Sequence, residues 1–366
     1  LAYEKGAVTI DGVPLLPEHI QKINQSKIFE IVVHNLLHRD MNIGPLNASK
    51  RLLYLRNFAL YLQRRRHSSF ASPEEIRNLV QEIFSDDLRK TDTPEQTQES
   101  YYRTCRRHSG LTTEGQFRDT SGIIDMPIDE LDTESRVGFS HNSLREYLVA
   151  DSISDFLESG HSYPFLDEVV ISDLIGDFFI GITEYKKVLI GKLSEKFKAS
   201  ENQKIKDVLF KLIYYFIRSD QDGYISLLGK IPSVSNLDIS GYDFSGLPLR
   251  NAEITDCLAL DTDFRKSDLK NTSFRNTVLE NVMFDDALLS DADFTRSEIV
   301  SIYVFDGYDS GTLAILKGKN ARQWLFSHGA KVSPVNDLNP YMGKPWYEAA
   351  REVTRTLEQR IAGGHQ

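Results

Sequence analysis

Residues 252–301 read AEITD-CLALD-TDFRK-SDLKN-TSFRN-TVLEN-VMFDD-ALLSD-ADFTR-SEIVS, an unbroken series of pentads, and less regular pentads precede them from residue 237. The middle residue of each pentad is apolar, and residues twenty apart match, as Phe244, Phe264 and Phe284 do. Neither the period of a helix nor that of a strand produces this register. A coil of twenty residues with four five-residue sides does produce it.

This pattern resembles the pentapeptide-repeat family, which implies a right-handed quadrilateral β-helix over residues 236–301. In that family the residue two positions before each apolar centre also points inward and is small. From Ala252 onward the residues at this position are small, whereas Leu237, Tyr242 and Leu247 are large. We therefore expect an irregular first coil that acts as a cap, and a stack of roughly 15 Å at one strand spacing per coil.

Charge is unevenly distributed along the chain. The 366 residues include 43 Lys and Arg against 53 Asp and Glu, a net charge of −10. Residues 237–301 contain thirteen acidic and six basic residues, which leaves a balance of −3 for the rest of the chain. An acidic stack can mimic or repel nucleic acid, but the simpler interpretation is that the outward positions of a coil must be polar.

Composition also indicates the cellular compartment in which the protein is expected. No run of about 18 apolar residues occurs, so we expect no membrane span, and no signal segment opens the chain. Cys105 and Cys257 provide neither a disulfide framework nor a metal-binding spacing. We expect a reducing, cytoplasmic location. The first residue is Leu1 rather than Met, which leaves open whether the chain is part of a longer protein.

The sequence before residue 236 has the periodicity of helices. Pro17 opens a helix predicted over 17–39, Asn47 caps a second helix, and Ser72-Pro73-Glu74-Glu75 is a capping box for a third. A fourth helix is predicted from Thr93 to about His108. Further helices are predicted over 142–157, 164–198, 201–218 and 222–229.

Two strands, predicted over 116–126 and 136–141, are expected to form a hairpin. Three helices followed by a hairpin is the order of a winged-helix domain. The second strand leads into Phe139-Ser140-His141-Asn142-Ser143-Leu144-Arg145-Glu146-Tyr147-Leu148-Val149-Ala150. This stretch resembles a motif of NACHT-type STAND NTPases, with one extra residue before the alanine. The resemblance implies that His141 contacts the β-phosphate of ADP, and a histidine with a purely local structural role is the alternative.

The chain lacks the phosphate loop of those NTPases, Gly-x-x-x-x-Gly-Lys-Ser/Thr. Gly191-Lys192 is followed by Leu193, and Gly318-Lys319 by Asn320. We therefore expect no cofactor in this chain, and ADP or ATP only in an NTPase domain upstream of Leu1. No catalytic or metal-binding cluster stands out, so we expect a protein that is not an enzyme.

Basic clusters lie at 64–67 and 103–108, next to the predicted winged helix. They could contact DNA, but both lie near predicted helix C-termini, where cations are favourable. We expect no nucleic-acid partner. A helix over 319–328 that stops at Gly329, and a last helix around Trp346, are expected to cap the stack or to sense a partner.

Four apolar residues occupy outward positions on one side of the stack: Leu258, Leu260, Val278 and Val300. Such a strip predicts a covered surface. The expected cover is the chain's own C-terminal helix, through Trp346, and a protein partner is the alternative.

These observations predict an α + β multidomain fold: a helical segment over 1–46, a winged-helix-like domain over 47–158, a helical domain over 159–235, the β-helix over 236–301 and a helical cap over 302–366. The expected function is the regulatory or sensing arm of a STAND signalling NTPase, in a setting such as antiviral or stress defence. The alternative is a free-standing interaction scaffold or a DNA-mimicking inhibitor.

Overall fold

The computed structural model shows a mixed α/β chain, with helices concentrated before residue 220 and small sheets after it. It describes residues 9–10, 13–14, 24–64, 69–114, 135–185, 188–219, 234–305 and 313–333. The chain divides into two compact units, Leu1–Ser219 and Asp220–Gln366. No helix in the described ranges is long and apolar enough to cross a membrane.

The first unit is mainly helical, with one central helix. Its described helices are α1 (Gln25–Arg39), α2 (Ala48–Gln63), α3 (Pro73–Ile83), α4 (Ser85–Arg89), α5 (Pro94–Arg106), α6 (Asn142–Ser159), α7 (Asp173–Tyr185), α8 (Val188–Ala199) and α9 (Gln203–Ser219). Helix α6 packs against α2, α7 and α8. It buries Leu148 and Ile153 completely, which makes it the core of this unit.

Polar side chains begin three of these helices. Asn24 and Asn47 each accept a hydrogen bond from the backbone N–H three residues on. At α3 the hydroxyl of Ser72 accepts from the N–H of Glu75, and the Glu75 carboxylate accepts from the N–H of Ser72 at 2.7 Å. The predicted capping box and the Asn47 cap are confirmed. Helix α1 begins at Gln25 rather than at Pro17, and residues 17–23 lie outside the described residues.

The predicted helix over 164–198 is in fact two helices, α7 and α8. A 3₁₀ turn at Leu166–Glu168 comes first, and the Ser172 hydroxyl then accepts from the N–H of Ile175 to start α7. Apolar periodicity alone does not indicate that a helix begins after Ser172, because Ser172 lies within an apolar run. The predicted helix over 222–229 lies outside the described residues.

A three-stranded antiparallel sheet joins distant parts of the first unit. Strands β3 (Phe70–Ala71) and β4 (Leu111–Thr113) flank the central strand β5 (Val137–Phe139). A further pair, β1 (Thr9–Ile10) and β2 (Val13–Pro14), is antiparallel. Strand β5 was predicted, and it pairs with β4, which lies before the predicted partner strand. That predicted strand, over 116–126, lies outside the described residues.

In the second unit, residues twenty apart in the sequence pair with each other in parallel β-bridges. Bridges between successive repeats line up in columns, and there are four such columns among the described residues. The short strands are β6 (Val234–Ser235), β7 (Ile254–Thr255), β8 (Leu258–Leu260), β9 (Val278–Glu280), β10 (Val282–Met283), β11 (Asp293–Phe294) and β12 (Glu298–Ile299). The ring of Phe264 stacks on those of Phe244 and Phe284, with centroids 5.2 and 5.6 Å apart. This is the register that the sequence predicts.

Small inward residues of the stack hydrogen-bond to the neighbouring coil. The Thr272 hydroxyl donates to the carbonyl of Leu249 at 2.7 Å, and Thr262, Thr277 and Ser297 repeat this bond to the carbonyl twenty-three residues earlier. The Cys257 thiol occupies the same position and donates to the carbonyl of Val234 at 3.6 Å. Each buried polar group is thus satisfied inside the apolar core.

Every fifth residue of the stack adopts a left-handed backbone conformation. The residues concerned are Asn236, Gly241, Gly246, Asn251, Asp256, Asp261, Lys266, Asn271, Asn276, Asn281, Asp286, Asp291 and Arg296. Glycine, asparagine and aspartate tolerate this conformation best. Lys266 and Arg296, with φ of 60° and 62°, are the two exceptions.

The C-terminal end of the stack is closed by elements that leave the repeat. Strand β13 (Ser301–Phe305) runs parallel to β10 and antiparallel to β14 (Leu313–Lys317). Helix α10 (Gly318–Ser327) follows, and β15 (Lys331–Val332) pairs with β11. Helix α10 buries Leu325, and Arg322 donates to the carbonyl of Ser297 at 3.1 Å. The predicted helix and its stop at Gly329, φ 88°, are confirmed, whereas the predicted helix around Trp346 lies outside the described residues.

We expect Lys266→Asn to stabilise the stack by about 0.5–1 kcal/mol, because asparagine tolerates the left-handed corner better than lysine does. The measurement is the free energy of unfolding in denaturant. The control is Lys270→Asn, which removes the same charge at a position of ordinary backbone conformation. Equal effects of the two changes would mean that charge, and not backbone conformation, is responsible.

Candidate functional site

The predicted apolar strip occupies the β8–β9–β12 side of the stack. Leu258 pairs with Val278, and Val278 pairs in turn with Glu298. Leu258, Leu260 and Val278 form one cluster and are 3%, 8% and 1% exposed. Val300 is half-buried and is separated from Leu260 by Glu280 in the same column. The structure therefore brings three of the four predicted residues together.

The burial of this cluster is unusual because its positions point away from the coil interior. Burying one large apolar side chain contributes about 1.5–3 kcal/mol of free energy. The three side chains therefore stabilise the contact that buries them. Carboxylates border the cluster on the same side: exposed Asp238, and half-buried Glu280 and Glu298. A covering segment with apolar and basic side chains would match this surface. The predicted cover around Trp346 lies outside the described residues.

Most acidic residues of the stack have a role in its own backbone. Asp238, Asp243, Asp263, Asp268 and Asp293 each accept a hydrogen bond from the backbone N–H two residues on. Aspartate is suited to this because its short side chain reaches its own backbone. Four further aspartates occupy left-handed corners: Asp256, Asp261, Asp286 and Asp291. Nine of the thirteen acidic residues are therefore explained by the fold, without any partner.

His141 lies at the N-cap position of α6, where its carbonyl accepts from the N–H groups of Leu144 and Arg145. Its side chain is exposed and makes no capping hydrogen bond. The first turn of α6 contains no acidic residue. The exposed His141 thus lies at the positive end of a helix, a position suited to an anion. The ring neither caps the helix nor is buried, and its contact with a phosphate stays a prediction.

Three described members of the predicted basic clusters, Arg64, Arg106 and His108, are used in packing, and residues 65–67 lie outside the described residues. Arg64 lies 4.4 Å from the ring centroids of both Tyr61 and Phe165, and Arg106 is 3% exposed and donates to the Tyr102 hydroxyl at 2.9 Å. His108 is also buried. The buried Arg106 and His108 are therefore not available to contact a phosphate backbone.

A Ser-His-Asp cluster that the sequence did not suggest lies at the end of α6. The Ser159 hydroxyl and the Asp155 carboxylate both lie 2.8 Å from Nδ1 of His161. A catalytic triad requires the hydroxyl and the carboxylate on opposite ring nitrogens, so this arrangement cannot activate the serine. Asp155 instead belongs to a structural network with Arg56 and Tyr163.

One cavity of about 530 Å³ lies between α5 and the turn at Ile43–Gly44. Its charged lining, Glu95, Glu99, Arg103 and Arg107, carries both signs, and Arg103 is already bonded to Glu99 at 3.0 Å. Among the described residues, no group of three or more His, Cys, Asp or Glu side chains is placed to hold a metal ion. This part of the first unit therefore shows a pocket without a distinct chemical preference.

A buried Asp–His pair, which no local sequence pattern indicates, joins the end of α1 to the turn after α5. His108 and Asp40 are 2% and 0% exposed, and Nε2 of His108 lies 3.3 Å from Oδ2 of Asp40. The Gly110 N–H donates to Nδ1 of His108, and the Ser109 N–H donates to Asp40. Burial lowers the pKa of His108 from 6.5 to about 4, although Asp40 opposes this shift. The ring is therefore neutral in the folded protein at neutral pH.

We expect acidification to destabilise the first unit through His108. Well above pH 6.5 the histidine is neutral in both states, and as the pH falls through 6.5 towards about 4 the unfolded chain binds the proton more readily. The stability lost over that window is on the order of 3 kcal/mol. The measurement is the unfolding free energy against pH. His108→Gln should flatten the profile, and the exposed His161→Gln should not; an unchanged slope in His108→Gln would refute this assignment.

The comparison with protein families concerns the stack. The family model described as Pentapeptide repeats matches residues 261–296, with eight copies. No curated protein matches the chain. Such repeats commonly mediate protein interactions, and proteins that contain them are generally non-enzymatic scaffolds. Residues 261–296 are thus a pentapeptide-repeat segment, and they point to a protein-interaction scaffold as the kind of domain in the second unit.

Proposed function

We propose that this protein is an interaction scaffold that serves as the regulatory arm of a STAND (NACHT-type) signalling NTPase. The observation that carries the scaffold role is the outward cluster of Leu258, Leu260 and Val278, buried on one side of a repeat stack. The nucleotide switch would lie in an NTPase domain outside this chain. Antiviral or stress defence is the setting that this class of signalling protein suggests.

The stack itself we propose to be a right-handed quadrilateral β-helix. The parallel bridges in four columns, the phenylalanine stacks and the left-handed corners at five-residue intervals all support this architecture. A rigid support of this kind holds an outer side in a fixed shape. That property is useful for binding and supplies no chemistry of its own.

The proposal for the first unit rests on the order of its elements and on the motif at 139–150. From α2 onward the described elements follow in the order α2, β3, α3, α4, α5, β4 and β5. Within the sheet, β5 lies between β3 and β4. This is the order of a winged-helix domain. Exposed His141 directly follows that sheet, at the start of α6. This position supports the proposed contact with an ADP phosphate carried by another domain.

The alternative role, as a DNA-mimicking inhibitor, is less well supported. Most acidic side chains of the stack have backbone roles, as described above, and Arg250 and Arg265 form ion pairs with Asp268 and Asp263. A stack of roughly 15 Å also spans less than half of a DNA turn of about 34 Å. The negative charge is therefore neither free nor extended enough for mimicry.

The double variant Leu258→Asp with Val278→Asp tests the covered strip. Placing two carboxylates in an apolar contact should displace the covering segment, because a buried unpaired charge costs several kcal/mol. We expect faster hydrogen exchange over residues 340–362 if the cover is the chain's own C-terminal helix. We expect a lower molar mass if the cover is a partner.

The matched control is Leu288→Asp, which alters an outward residue that is 48% exposed on another side. It should change neither measurement. Amide protection at Phe264 and Phe274 reports whether the stack interior stays folded. If exchange and molar mass both stay unchanged in the double variant while the interior stays protected, the strip is not a contact surface and the scaffold role loses its support.

His141 tests the signalling part of the proposal. Alone, this chain should show no submicromolar ADP binding by calorimetry, because it lacks a phosphate loop. In the assembly with the proposed NTPase domain, His141→Ala should weaken ADP binding about tenfold through the loss of a charge-assisted hydrogen bond. The control is His161→Ala, another exposed histidine. Equal ADP affinity of both variants and the unaltered assembly would return His141 to a structural role.

A further inference from the structure

The hairpin that closes the stack leaves one strand edge open. Strands β10, β13 and β14 form one sheet in which β14 is the last strand. Among the described residues, no other strand pairs with the outer edge of β14. An open edge of this kind is a template for a further strand.

The register shows which backbone groups face that edge. The Gly318 N–H donates to the carbonyl of Val300, and β13 and β14 are paired antiparallel from Ser301↔Lys317 to Phe305↔Leu313. Antiparallel residues alternate between bonding to the partner strand and pointing away from it. Ala314 and Leu316 therefore bond to β13, and the N–H and carbonyl groups of Ile315 and Lys317 point outward.

The outer face of the same sheet carries an apolar row that reaches the open edge. Met283 is paired with Tyr303, and Tyr303 is paired with Ile315. Met283 and Tyr303 are half-buried, whereas Ile315 is 50% exposed. An added strand would place its own side chain beside Ile315 and extend this row by one member.

The described segment that forms this edge, residues 313–333, is positively charged, in contrast to the stack. Residues 313–333 contain four Lys and Arg and no Asp or Glu. Lys331 pairs with Asp291, and Arg322 donates to backbone carbonyls. Lys317 is exposed, lies on the same strand face as Ile315 and adjoins exposed Lys319. A carboxylate on the added strand, two residues from its apolar side chain, would lie opposite Lys317.

We propose that the outer edge of β14 is a docking site for an extended segment of another protein that carries an apolar side chain and a carboxylate two residues apart. The segment adds to the sheet as a fourth strand, its backbone bonding to Ile315 and Lys317. The site rests on the scaffold role proposed above and specifies its partner class. It lies apart from the strip around Leu258.

The test uses the full chain and a fluorescein-labelled peptide of about nine residues, a usual strand length. The peptide alternates Thr and Val around a central Ile, with Glu two residues away on both sides, so that either strand direction offers a carboxylate to Lys317. A second peptide has Lys in place of both Glu. Fluorescence anisotropy should show the acidic peptide binding about tenfold more tightly than the basic one, since one charge-assisted contact contributes that much. Equal affinities, or no saturable binding below about 1 mM, would overturn the proposal.

Two variants separate backbone pairing from charge. Ile315→Pro removes an outward N–H that the sheet does not use, so folding should persist while peptide affinity falls about tenfold. Ile315→Thr removes the same apolar side chain but keeps the N–H, and it should bind more tightly than the proline variant. Lys317→Glu should invert the preference in favour of the basic peptide. Equal binding by Ile315→Pro and Ile315→Thr, with unchanged circular dichroism, would exclude strand addition.

Two further measurements keep this site distinct from the strip and from self-association. The double variant at Leu258 and Val278 should bind the acidic peptide as tightly as the unaltered chain does. Loss of the contact at the strip can therefore be distinguished from loss of peptide binding at β14. Sedimentation of the chain alone gives its molar mass. A doubled mass that Ile315→Pro abolishes would show that a second copy occupies the edge, and the proposal of a different protein would be wrong.

Discussion

The second unit depends on one backbone constraint: a left-handed corner at every fifth residue. These corners recur at five-residue intervals, and the backbone N–H and carbonyl groups between them bond to those of residues nineteen and twenty-one positions away. Only a few residue types adopt this conformation without strain. The sequence therefore places glycine, asparagine or aspartate at eleven of thirteen corners. The apolar centres then stack because the corners set the length of each side.

The inside of the coil follows from the same constraint. A side of five residues leaves space for one large apolar side chain and one small residue, and the small residue lies next to carbonyls of the preceding coil. Threonine and serine satisfy those carbonyls with their hydroxyls, as Thr272 does with Leu249. The ends of such a stack lack a neighbouring coil, so α10 and β15 supply buried side chains and backbone partners at the C-terminal end.

The sequence predicted the register of the stack because a period of five with a second period of twenty has few structural explanations. The sequence also contains Asn, Asp and Gly at five-residue intervals, a pattern that indicates left-handed corners and that the prediction did not use. The helix caps at Asn47 and Ser72 were predictable because capping is local. The Asp40–His108 pair and the pairing of β13 with β10 and β14 were not, because they join residues far apart or outside the repeat. The predicted helix over 164–198 was too long because apolar periodicity does not register a single serine that starts a helix.

Function has to be sought where the repeat pattern is broken. The acidic charge of the stack looks at first like a binding property, yet aspartates at corners and before the apolar centres meet the needs of the backbone. Residues without such a role carry more information. Leu258 and Val278 occupy outward positions where the coil requires only polarity, and the closing strand β14 combines exposed Ile315 with exposed Lys317 on an open edge. A scaffold whose interior is fixed by geometry can specify a partner only through residues of this second kind.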